Sequence, residues 1–164
     1  MDSDSASKST SELEALMRPG VLSQAGFLGP HEHLDEVLAH DAQTMAELGL
    51  TYEKIAEKLE QLLTAAEKAR SHAAEIGNLK VVVQVYPGFQ MCPWSSDIHS
   101  HQCTTGGGVQ FGSLDWSIIN KRTGDAMRGS GLAVHLIRDH HFFEGFESPY
   151  RIDPLKIARV LELV

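Results

Sequence analysis

Apolar residues recur with a helical period twice in the first half of the chain. From Glu32 to Leu48 they fall at Leu34, Val37, Leu38, Ala42, Met45 and Leu48, close to every 3.6 residues, and Gly49 closes the run. Thr51 then offers an N-cap, with Glu53 in the first turn after it. The second helix carries Ile55, Ala56, Leu59, Leu62, Leu63, Ala66 and Ala69 and is expected to reach as far as Gly77, with Glu57, Lys58, Glu60, Gln61, Glu67 and Lys68 on its other face. The short link predicts an antiparallel helical hairpin.

The period changes at Leu79. Leu79 to Tyr86 (LKVVVQVY) is β-branched and bounded by Gly77-Asn78 and Pro87-Gly88, which predicts a strand. Residues 87–108, PGFQMCPWSSDIHSHQCTTGGG, carry neither period and read as one long loop. Loops of this length inside a compact domain are usually functional. Val109–Phe111 and Leu114–Asn120 read as strands, Lys121–Gly124 as a hairpin turn and Asp125–Arg128 as the return strand. Gly129-Ser130-Gly131 introduces a helix over 131–144, stopped by Gly145, and Asp153-Pro154 opens a last one. The predicted fold is α+β: an N-terminal helical hairpin, a small antiparallel β-sheet with a long loop, and two following helices. Residues 1–20 are expected to form a flexible tail, with at most a helical turn at Leu13, Leu16 and Met17 before Pro19-Gly20. Residues 21–164 form one domain, the hairpin over 21–77 and the sheet with its helices over 78–164.

Charge removes several functions. The formal net charge of -8 repels phosphate backbones, and the longest cationic cluster is the pair Lys121-Arg122. Nucleic acid is therefore not an expected partner. No apolar run approaches the length of a membrane span, and MDSDSASKST shows no secretory pattern, so the expected location is cytoplasmic. In a reducing compartment the two cysteines, Cys92 and Cys103, are better read as thiols or metal ligands than as a disulfide.

The chemistry concentrates around the segment VHLIRDHHFFEG, Val134 to Gly145. At about 100° per residue, His140 falls within the apolar sector set by Leu132 and Leu136, His141 at its border, and His135 one turn before Asp139. A buried imidazole needs a partner, because leaving it unpaired costs about 1–3 kcal/mol. One reading is a core histidine bonded to a backbone carbonyl or to Asp139. The other is a metal site: Cys92 and Cys103 from the loop with His135 and His140 from the helix match the ligand types and the H-x4-H spacing of structural zinc, although the spacer between the cysteines is longer than usual. A local set, Cys92, His99, His101 and Cys103, competes with it, and mixed sets that include His141 stay open.

With one open coordination position the same cluster becomes a metal-dependent hydrolase, with Asp139, Glu144, Asp115 or Asp97 as base. A Cys–His nucleophilic pair is a further option. Without metal, the histidines and Trp94 line a small-molecule pocket. The preferred reading is a zinc-binding protein with a binding or regulatory role, with a homodimer through the N-terminal hairpin as a candidate assembly. Arg138 and Arg151 read as paired surface arginines, and His31, His33, His40 and His72 as solvated or capping, the last two within helices.

Overall fold

The structure, a computed structural model, describes residues 8–95, 102–103 and 109–164; at 89, 102–103 and 109–112 only the backbone is described. The described elements are α1 (Thr10–Met17), α2 (Leu34–Leu48), α3 (Tyr52–Lys68), β1 (Ala73–Ile76), β2 (Leu79–Gln90), β3 (Gln102–Cys103), β4 (Val109–Asn120), β5 (Ala126–Ser130), α4 (Leu132–His140) and α5 (Pro154–Val160). The protein is α+β, as its periodicities predict.

Among the described residues the strand pairs are all antiparallel, in the order β1-β2-β4-β3, with β5 also beside β4. Alternation along the strands decides which face is covered. Val81, Val83, Leu114, Trp116, Ile118 and Met127 are buried against the helices, whereas Val82 and Ile119 stay exposed on the opposite face. Such one-sided burial is usual for an antiparallel sheet. Trp116 lies over β5 because residue 129 has no side chain: a Cβ on Gly129 would stand 2.6 Å from the indole. The indole N–H donates to the Ser130 carbonyl at 2.7 Å.

Two apolar clusters result. The larger lies between the sheet and helices α3, α4 and α5; the smaller joins Leu13, Met17, Phe27, Leu28, Leu34, Val37 and Cys92 to Leu132, Leu136 and Phe142. Helix α4 sits between them, with Ala133, Val134 and Ile137 in the first and Leu132 and Leu136 in the second. A helix buried on both sides reads as apolar nearly all round, which is why any polar residue on it needs an explanation.

Several boundaries move. Helix α3 ends at Lys68 and does not reach Gly77; His72 takes a positive φ of 53° outside any helix, and Ala73–Ile76 turns back at Gly77-Asn78 to pair with β2. Strand β2 runs through Pro87-Gly88 to Gln90, its register shifting between Tyr86 and Phe89 around Gly88 at φ 101°. Proline and glycine make a bulge there and do not end the strand. Strand β4 is continuous from 109 to 120, and β5 includes Gly129 and Ser130.

The part of the expected tail that is described is packed. Ser9 caps α1 by accepting from the Glu12 N–H at 3.2 Å, and Met17 is fully buried. The α2–α3 link turns at Gly49, φ 66°, and Thr51 caps α3 as expected. Helix α2 packs against α1 and α5, and α3 against α4 and β1–β2. The apolar stripe of α3, Ile55, Ala56, Leu59, Leu62, Leu63 and Ala66, is buried in these contacts. No helix among the described residues is long and apolar enough to cross a membrane.

Candidate metal centre

Two chain segments meet at the site. The first is the turn after β2, where the Ser95 N–H donates to the Cys92 carbonyl at 2.9 Å and Pro93-Trp94 bridge them. Lys8, ahead of α1, donates its ammonium to the Ser95 carbonyl and ties that turn to the N-terminal segment. Cys92 is 2% exposed and belongs to the smaller apolar cluster. The second segment is α4, which presents His135 and His140. The helix stops at His141, not at Gly145: His141 adopts φ 56° and ψ 34°, its N–H donates to Ile137 O at 3.2 Å, and the Phe142 N–H donates to Leu136 O at 3.0 Å. This left-handed closure satisfies the last carbonyls and leaves His140 on the final helical turn. Gly145 serves another end: its N–H donates to Phe27 O at 2.7 Å, and a Cβ there would stand 3.0 Å from Leu28 and 2.2 Å from the Glu32 carboxylate.

Cys92 Sγ, His135 Nε2 and His140 Nε2 converge. The Cys92 Sγ to His140 Nε2 separation is 3.4 Å, the two Nε2 atoms stand 3.2 Å apart, and the three ligand-type atoms all lie within 4.8 Å of one another. On a tetrahedral zinc with Zn–N about 2.05 Å and Zn–S about 2.3 Å, N···N and N···S separations are about 3.3 and about 3.5 Å. The two separations at His140 match those values, and Cys92 and His135 stand within 4.8 Å of each other, so the three residues could hold one ion. Behind His135, the Asp139 carboxylate accepts from Nδ1–H at 2.6 Å. An ionised carboxylate only accepts, so the His135 proton sits on Nδ1 and its Nε2 faces His140 with a lone pair. A carboxylate behind a ligating imidazole is the usual outer support of zinc histidines. Trp94 stacks on His140 with ring centroids 4.2 Å apart and planes 7° apart, and Phe142 meets Trp94 edge-on at 5.6 Å.

Burial keeps both imidazoles neutral. It pushes His140 down to about 4, helped by the neighbouring His135, and pushes His135 down against the opposing pull of Asp139. Neutral imidazole is the form that binds metal.

Three of the four residues picked out by spacing are therefore adjacent. The Cys103 side chain, His99, His101 and Asp97 lie outside the described residues; the Cys103 backbone is on β3, opposite Val109 of β4. His141 turns away and stacks on Tyr52 at 4.0 Å. Among the candidate bases, Asp139 is engaged with His135, Asp115 lines a separate cavity with Arg128, Ser117 and Tyr150 on the sheet, and Glu144 is bonded by Ser148. Arg138 pairs with Glu60 at 2.6 Å at the surface, as expected; Arg151 does not lie at the surface, being 12% exposed, and it grips the buried Asp41 with both terminal nitrogens, one at 2.8 Å. His33 and His40 are exposed, and His33 occupies the α2 N-cap position without a side-chain capping bond.

No family model, curated protein or solved structure matches the chain.

Proposed function

We propose that this chain is a zinc-binding protein in which Cys92, His135 and His140 supply three ligands and Cys103 the fourth, so that the closed site fastens the segment after β2 to α4 in a binding or regulatory role. The observation that carries this reading is the set of separations, 3.4 Å and 3.2 Å, among a thiol and two imidazoles kept neutral by burial. The aromatic cover from Trp94 and Phe142 supports a structural ion. A hydrolase would need a water in the fourth position and a carboxylate beside it; Asp139 already accepts from His135.

The test is metal content of protein purified without a histidine tag, with thiol titration before and after a strong chelator. We expect about one zinc per chain and thiols that react quickly only after chelation. Metal-free protein whose thiols react at once and gain no protection from added zinc would overturn the reading. A Cys103→Ser variant that keeps zinc undiminished would mean three protein ligands and an open position, and would favour the hydrolase.

A further inference from the structure

Beyond the end of α4 the chain buries a carboxyl group that the metal centre does not use. Glu144 is 3% exposed and holds a positive φ of 68°. Both conditions are unfavourable for glutamate: burial disfavours its charge, and the left-handed region costs a residue with a Cβ about 1–2 kcal/mol. Its Oε1 accepts from the Ser148 hydroxyl at 2.8 Å, and among the described residues Oε2 takes no hydrogen bond. Nearby Arg151 gives its guanidinium to Asp41 and donates to the Glu144 backbone carbonyl at 2.9 Å, not to the carboxylate.

Glu144 lines a cavity of about 300 Å³, the lower end of the size of small-ligand pockets. Phe27, Met91, Leu132 and Tyr150 give it apolar and aromatic walls, and Gln90 adds a polar edge. The Gln90 side-chain oxygen already accepts from the Leu132 N–H at 2.8 Å, so the wall is held in place before any ligand arrives. Glu144 also acts electrostatically on the Tyr150 phenol, another lining residue.

We propose that this cavity is a binding site for a small organic ammonium ion, its charged head against Glu144 Oε2 and its alkyl body against Phe27, Leu132 and Tyr150. An ammonium supplies the donor that Oε2 lacks and the positive charge that lets a buried carboxylate ionise. Phenylalanine and tyrosine rings favour a cation over a neutral head. The net charge of -8 draws cations toward the protein. The cavity is distinct from the metal centre but borders it in sequence: Met91 precedes Cys92, and Leu132 precedes His135 by nearly one turn.

The experiment is calorimetric titration with n-butylammonium and, in parallel, butyramide, at pH 7 in two buffers of different ionisation enthalpy. Glu144 is held up to about 8 by burial, so it is about nine-tenths protonated at pH 7. Binding of the ammonium is expected to release close to one proton per ligand to the buffer, and butyramide to bind at least about tenfold more weakly without proton release. Glu144→Gln is expected to abolish ammonium binding and proton release while leaving zinc content unchanged, which separates this site from the metal reading. Absence of ammonium binding, binding without proton release, equal affinity for butyramide, or full affinity in Glu144→Gln would each overturn it.

Discussion

The two ends of the segment from His135 to Glu144 show one cause acting on opposite charge types. At the candidate metal centre, burial holds two bases below their ordinary range. Four residues past His140, burial holds an acid far above its own. In each place the low dielectric expels charge. The outcome differs because of partners. His135 and His140 meet each other, Cys92 and Asp139, so their polar atoms converge on one point. Glu144 has Ser148 on one oxygen and a cavity along its side. A converging set of lone pairs asks for a cation at its centre, whereas a half-satisfied carboxyl asks for a ligand at its edge.

The sharpest way to test that contrast is the pH dependence of stability in Glu144→Gln. The Glu144 carboxyl is raised from 4.5 to about 8 on folding, so between those values the folded chain holds a proton that the unfolded chain has released. Stability contributed by this residue therefore falls as pH rises, with no penalty below 4.5 and the full penalty above about 8. Removing the titration should make Glu144→Gln nearly neutral at pH 4.5 and about 4–5 kcal/mol more stable than the parent at pH 8.5, read by denaturant unfolding at both values. A difference that does not change with pH would mean that Glu144 is already ionised, and the contrast with the histidines would fail.

A smaller effect is expected at the metal centre from Asp139→Asn. The amide has the shape of the carboxylate but cannot carry its charge behind His135. Outer-shell changes of this kind typically weaken metal affinity by about 10–100-fold. Competition with a chromophoric chelator should show that loss while circular dichroism shows the fold unchanged. Unaltered affinity would reduce the His135–Asp139 bond to a helix-surface pair.

Much of one side of this contrast is legible in the amino-acid sequence. The apolar period of α3 and the β-branched run of β2 each bury one face, so their local pattern already contains the tertiary answer; in α2 the buried stripe also takes in Asp41, paired with Arg151, and leaves Ala42 exposed. Cys92, His135 and His140 are legible as ligand types with a zinc-like His spacing, but His99, His101 and Cys103 compete with them in the sequence, and it is the fold that brings the three together. Strand β1 is hidden because Ala73-Ala74-Glu75 favours helix, and it is held in place by pairing with β2. The ends of β2 and α4 escape a local reading for a related reason: Pro87-Gly88 and Gly145 are ordinary stop signals, but tertiary contacts make the first a bulge and the second a point of close approach to Leu28. The Glu144 cavity leaves no signature, since its walls come from Leu22–Phe27, Gln90–Met91, Ser130–Leu132, Glu144 and Tyr150, segments that only folding assembles.

The smallest effect is expected at His141, and it guards the ligand set. This residue closes α4 in the left-handed region and stacks on Tyr52 with planes 7° apart. Glycine would relieve about 1 kcal/mol of backbone strain. It would forfeit a ring contact worth about 0.5–1.5 kcal/mol and gain unfolded-state freedom worth about 0.4–1 kcal/mol. These terms nearly cancel, so His141→Gly should lower stability by about 1 kcal/mol or less, seen as a small shift in the thermal midpoint, with zinc content unchanged. If zinc were lost, His141 would have to turn from Tyr52 toward Cys92. The helix would then end differently, and the neutral imidazole pair that defines one side of the comparison would be the wrong pair.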